Sequence, residues 1–178
     1  MITEVVVAAI IWAFVLPRLD WGARQKPGAI EQQLATKVLA RWVRHNADST
    51  INPISPPPPN LMMALKEYED HCAACHGADG SGVNRFQADF YPPVPNLIRG
   101  TQKLSDSELY FIVANGIRNT AMPAFGKYHS PSDIWRTVLW LRHLARLSAE
   151  ERLAIARAMQ HQREQHRKSQ EGNGEKSH

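Results

Sequence analysis

The stretch Cys72-Ala73-Ala74-Cys75-His76 decides how this chain is read. Its pattern, C-x-x-C-H, is the attachment signature of covalently bound haem. Two thiols one helical turn apart can each add to a vinyl group of one porphyrin, and the adjacent imidazole then reaches the iron. The chain has two cysteines in all, and both lie in this motif. A disulfide or a thioredoxin-like redox pair is the first rival, but a redox pair of that kind opens a helix after a strand. Here residues 61–68 read as helix and residues 77–82 as loop. A structural zinc site is the second rival. It closes with four ligands, and no second cysteine pair exists. The motif therefore predicts one covalently bound haem c, attached at Cys72 and Cys75, with His76 as an iron ligand.

Two loops downstream supply the other parts of such a site. Tyr91-Pro92-Pro93-Val94-Pro95-Asn96-Leu97 is rigid, irregular chain. A haem-ligating histidine needs its second ring nitrogen held, usually by a backbone carbonyl. A loop fixed by prolines suits that task, and Pro95 is the candidate; Leu97 is expected to cover the haem. Further on, Met122 sits in an extended loop, and Pro123 holds it out of helical geometry. A loop methionine is seldom a ligand by itself. With C-x-x-C-H upstream and a stiff loop around it, Met122 becomes the candidate second axial ligand. Met62 and Met63 sit at helical spacing and read as core. The glycine-rich loop at 77–84 lacks the lysine and preceding strand of a phosphate loop. Its glycines let backbone pass close to a porphyrin edge.

The rest of the middle region reads as helices. Leu61, Met62, Leu65 and Tyr68 form one apolar face leading into the cysteine pair. Ser105 and Glu108 make a capping box. Leu109, Ile112 and Val113 form that helix's inner face, and Asn115-Gly116 ends it. Ser130 and Pro131 open another helix. Its face of Ile134, Trp135, Val138, Leu141 and Leu144 is predicted to cross the 61–73 helix. Ser148 caps a last helix over 148–168, read as solvated or partner-facing. Residues 169–178 read as a disordered tail.

The chain has 178 residues, enough for one modest domain with extensions. Its net charge of +4 divides as +2 over residues 1–59, −1 over 60–130 and +3 over 131–178. Basic flanks around a nearly neutral middle argue against a nucleic-acid reader, which would concentrate positive charge on the functional domain. They fit arms that touch anionic lipid or an acidic partner, or ordinary solvated helix faces.

Residues 5–16, VVVAAIIWAFVL, form an apolar run at the short end for a bilayer span. Residues 1–20 are read as a membrane-anchor helix, with Trp12 and Trp21 as interfacial anchors. A signal peptide and a buried soluble helix are the alternatives. Arg18, Arg24 and Lys26 follow the run, which opposes the positive-inside rule for an exported domain. In residues 21–46, Ile30, Leu34, Val38 and Trp42 recur every fourth position. They form an amphipathic helix for the membrane surface, a partner subunit or the haem domain. Residues 47–60, with four prolines in a row, read as a stiff linker.

With CAACH, PPVPNL, NGIRNTAMPAFG and a C-terminal helix bearing Trp135 and Trp140, residues 61–147 resemble a class I c-type cytochrome of the membrane-anchored bacterial type. The resemblance implies an all-α fold around one covalent haem. In it, Cys72 and Cys75 make the thioethers, His76 and Met122 bind the iron, and Pro95 holds His76. The implied function is one-electron transfer between redox protein partners, not enzymatic turnover, because both axial positions are filled. The expected place is the periplasmic side of the inner membrane, held by a single-pass anchor. A bound haem subunit of a larger respiratory or photosynthetic membrane complex is the alternative. A haem-based sensor with an exchangeable sixth ligand is a more distant one.

Overall fold

The computed structural model describes residues 2–15, 18, 28–56, 58–83, 90 and 92–174. Among them all regular structure is helical. The helices are α1 (Ile2–Ile10), α2 (Ala29–Asn46), α3 (Pro58–His71), α4 (Ala73–His76), α5 (Leu97–Gly100), α6 (Asp106–Asn115), α7 (Pro131–Leu144) and α8 (Ala149–Gly174). An all-α fold was the expectation for the middle region, and it holds.

The centre of the fold is the crossing of α3 and α7. Ala64 and Tyr68 on α3 are fully buried, and they pack in one cluster with Trp140, Leu141 and Leu144 of α7. Ala64 presents one methyl group at this contact, which lets the two backbones approach. The Tyr68 and Trp140 rings lie 6.3 Å apart and tilted, a favourable aromatic geometry. A second cluster joins α6 to α7 through Leu109, Trp135 and Val138. Tyr110 stacks on Trp135 there, with centroids 4.3 Å apart.

Helix ends follow the sequence signals. Ser105 and Glu108 close a capping box on α6, and Ser130 and Asp133 close one on α7. Ser148 and Glu151 exchange the same pair of bonds at the start of α8. Each satisfies amides that the first helical turn leaves without partners. Arg142 of α7 ties the segment before α6 in place: its guanidinium donates to Asp106 and to the Thr101 and Leu104 carbonyls.

Four expectations are corrected. The largest concerns the membrane. α1 and the π-turn after it, Ile11–Val15, span 14 residues, about 21 Å at the helical rise of 1.5 Å. A bilayer core is about 30 Å thick. No helix of the described residues is long and apolar enough to cross it. The single-pass anchor on the periplasmic side of the inner membrane is therefore overturned, and with it the transmembrane reading of residues 1–20. Trp21, Arg24 and Lys26 lie outside the described residues.

The segment ahead of α3 is not a free spacer. Residues 47–56 form no regular structure, but Asn52 donates to the Trp135 carbonyl at 2.9 Å and accepts from the Ile54 amide. Ile54 packs on the α6–α7 cluster. The segment is thus strapped to the domain, and α3 begins at Pro58 inside the proline run. Met62 and Met63 face solvent, not core. α8 continues past 168 to Gly174, and it is not purely solvated: Met159 is buried in the α3–α7 cluster with Ile155 beside it. Its apolar stripe is short and interrupted by charges, which hid the docking.

α2 docks by its C-terminal end. Val43 is buried and Trp42 packs on Phe111 of α6 at 4.7 Å. Ile30 and Leu34, on the same fourfold repeat, are 84% and 61% exposed. A four-residue repeat winds about 40° per step around a helix of 3.6 residues per turn, so one stripe does not face one neighbour along its length.

Candidate functional site

α3 ends at His71, directly before the motif, and α4 carries Ala73–His76. Cys72 bridges the two, with its amide donating to the Tyr68 carbonyl at 2.8 Å. The Cys72 carbonyl then accepts from the amides of Cys75 at 3.1 Å and His76 at 2.8 Å. Both cysteines and the histidine therefore share one tight turn, as attachment to a single porphyrin requires. No disulfide joins the cysteines. Burial, with smaller contributions from Glu67 and Cys75, pushes the Cys72 thiol up to about 12. A redox-active cysteine needs a depressed pKa, and burial moves Cys72 the other way.

The proline loop meets His76. His76 Nδ1 lies 3.4 Å from the Pro95 carbonyl oxygen. A carbonyl only accepts, so Nδ1 carries the proton and Nε2 keeps a lone pair. Burial lowers the His76 pKa, and the Pro95 bond partly offsets that. The ring is a neutral imidazole at neutral pH, the form that binds a metal.

Pro95 is held by the glycine loop. Gly82 has φ +80, and its amide donates to the His76 carbonyl at 2.9 Å. A Cβ on Gly82 would lie 2.8 Å from the Val94 oxygen and 3.1 Å from the Pro95 oxygen. Only a bare backbone fits that cradle. The close approach of this glycine is thus to the proline loop. The Leu97 amide donates to the Gly80 carbonyl at 2.9 Å, a second stitch between the loops. Leu97 itself is half-buried against the α3–α7 cluster and opens α5. Tyr91 lies outside the described residues.

Met122 is placed by α6. Gly116 ends that helix with φ +64, and a Cβ there would lie 2.6–2.7 Å from backbone atoms of Met122, Pro123 and Ala124. The Ile117 amide donates to the Met122 carbonyl at 3.1 Å. The Met122 amide donates to the Thr120 hydroxyl at 3.1 Å, and that hydroxyl donates to the Ile117 carbonyl at 2.8 Å. Asn119 sits at φ 60, a left-handed conformation that asparagine tolerates. Thr120 and Gly116 thus set the thioether's loop, a role that only the Asn115-Gly116 pair hinted at in sequence.

These residues fit covalently attached haem. The donor set is two thiols and one neutral imidazole on a single turn, with the imidazole's far nitrogen already committed to a carbonyl. The structure brings Cys72, Cys75, His76 and Pro95 together. Leu97 follows in the same loop, and Met122 comes from a separate, equally tied segment.

Residues 61–141 match the family model described as cytochrome C oxidase, cbb3-type, subunit III. No curated protein matches the chain. One similar solved structure is the reducing HAO-like protein complex of Kuenenia stuttgartiensis. It is 22% identical, with a TM-score of 0.48, over 53% of this chain and 47% of that one. This chain thus spans about half the length of that relative. Another is the c-type cytochrome XoxG from Methylobacterium extorquens. It is 23% identical, with a TM-score of 0.40, over 56% of this chain and 67% of that one.

Proposed function

From the premise that residues 61–141 are a class I c-type cytochrome domain with covalently bound haem c, we propose that the chain passes single electrons between redox protein partners. When bound, the haem supplies an iron that alternates between ferrous and ferric. Cys72 and Cys75 would hold the porphyrin through thioethers. His76 would bind the iron through Nε2, and Met122 would bind it through its thioether sulfur. Pro95 fixes the tautomer and orientation of His76, so the ligand needs no rearrangement as the iron changes charge. Leu97 would exclude water near the porphyrin.

The observation that carries this reading is the 3.4 Å approach of His76 Nδ1 to the Pro95 carbonyl, directly after the cysteine pair. With His76 and Met122 both on the iron, no position stays open for substrate or gas, which disfavours an enzyme or a sensor. The test is the oxidised optical spectrum of the haem-loaded protein, where a weak far-red band marks methionine–iron bonding. Met122→Ala is expected to keep the haem attached, lose that band, lower the midpoint potential and admit carbon monoxide to the reduced iron. An unchanged potential in that variant defeats the assignment.

A second reading, a haem subunit fixed in a larger respiratory or photosynthetic complex, draws on exposed apolar surface. Trp12 after α1 is 75% exposed, and the Ile30–Leu34 face of α2 is open as well. Purification from the native source without detergent separates the two readings, because a subunit brings its neighbours and a free carrier comes alone.

A further inference from the structure

Three ligand atoms outside the haem set converge on one point. Glu67, His71 and His129 bring theirs within 4.8 Å of one another. Glu67 and His71 are four residues apart on α3, so one helix face carries both. His129 arrives from the turn ahead of α7, where its amide donates to the Phe125 carbonyl at 3.0 Å. Glu67 Oε2 stands 3.5 Å from His129 Nδ1 and 3.8 Å from His71 Nε2. Both distances are long for a hydrogen bond, and the His71 and His129 rings meet edge-on with centroids 4.4 Å apart.

The cluster borders a cavity of about 10 Å³, lined by Glu67, His71, Cys72, Phe125 and His129 among others, roughly what one water or ion needs. The Phe125 ring packs on both imidazoles, at 6.2 Å from His71 and 5.6 Å from His129, which restricts their rotation. Asp133 borders the same cavity but is committed to Ser130 and Arg136.

We propose that Glu67, His71 and His129 form a site for one divalent transition cation of the zinc type. Two imidazoles and a carboxylate suit such an ion and leave a fourth coordination position open. Bonds of about 2.1 Å place tetrahedral donors about 3.4 Å apart. The two Glu67 distances meet that within a few tenths of an ångström, and His71, the most exposed of the three, is positioned to close the remaining gap.

The test is a calorimetric titration of the full-length, haem-loaded protein with zinc chloride, beside Glu67→Gln and His129→Ala. The wild type is expected to bind one zinc saturably, with the haem spectrum unchanged because His76 and Met122 take no part. Each variant is expected to weaken binding at least tenfold. No saturable zinc binding in the wild type, or wild-type affinity in both variants, overturns the site. Anomalous diffraction at the zinc edge, from wild-type crystals soaked in zinc chloride, needs no variant. Density among the three side chains supports the site, and density only at other histidines overturns it.

Discussion

The Tyr68 hydroxyl donates to the Gly77 carbonyl at 2.6 Å, inside the core. Tyr68 closes the last full turn of α3, and Gly77 is the first residue after the C-x-x-C-H motif. The bond therefore clamps the motif from both ends. Burial raises the phenol pKa far above its ordinary value, so the hydroxyl remains a donor across the working pH range. Tyr68→Phe keeps the ring but removes one of two hydrogen bonds to the Gly77 carbonyl, which still accepts from the Gly80 amide at 3.1 Å. Losing one such bond costs about 0.5–1.5 kcal/mol. We expect guanidinium unfolding of the haem-loaded variant to show a loss in that range with the haem still attached. A loss below a few tenths would mean that water replaces the phenol.

The capping box of α7 makes a pH-dependent contribution. The Asp133 carboxyl is held below its ordinary pKa, chiefly by the Ser130 hydroxyl at 2.6 Å, then by the Ser130 amide and Arg136. A carboxyl with a depressed folded pKa adds stability above its unfolded pKa, near 3.9. That stability fades as pH falls through the folded pKa. Ser130→Ala is expected to cost about 0.5–2 kcal/mol at pH 7. Part of that difference should vanish below pH ~4, because the protonated carboxyl no longer gains from the hydroxyl. Unfolding free energies measured from pH 7 to pH 3 check this. An equal gap at both ends would separate the cap from Asp133's charge.

What was legible in the sequence divides by how local the cause is. The C-x-x-C-H turn and the helix caps at Ser105 and Ser130 depend on a few neighbouring residues, and each could be read from spacing; Pro95, 19 residues from His76, is suggested only by the stiffness of its proline loop. Met159 and Asn52 could not. Their partners, the Trp140–Leu144 face of α7 and the Trp135 carbonyl, are far along the chain. Neither residue sits in a periodic pattern that announces burial. The apolar run at the start misled for a related reason. Hydropathy records how apolar a stretch is, whereas crossing a bilayer also needs helical length, and the helix with its π-turn ends at Val15. The convergence of Glu67 and His71 with His129 likewise needed the α3–α7 crossing before it could be seen.

Gly82→Ala tests the His76 side of the site. The new methyl group would meet the Val94 and Pro95 carbonyls at 2.8 and 3.1 Å, from a residue at φ +80. Backbone is not the flexible end of a side chain, so the proline loop must move. An L-residue in that conformation costs about 1–3 kcal/mol by itself. We expect lower thermal stability and a lower yield of haem-loaded protein, because Pro95 loses its position over His76. Normal yield with an unchanged spectrum would show that the Pro95 carbonyl is dispensable.

Gly116→Ala tests the opposite side in the same way. Its Cβ would stand 2.6–2.7 Å from backbone atoms of Met122, Pro123 and Ala124. The turn from Ile117 to Met122 is closed by its own hydrogen bonds, so it is expected to shift as a unit and carry the thioether with it. Because Cys72, Cys75 and His76 lie on a different segment, the haem should remain attached and the His76 bond intact. The expected result is therefore selective: loss of the far-red methionine band and a lower midpoint potential, at nearly normal haem content. Gly82→Ala should do the reverse, lowering haem content first. If both variants lose haem to the same extent, the two loops do not act on separate sides of one iron.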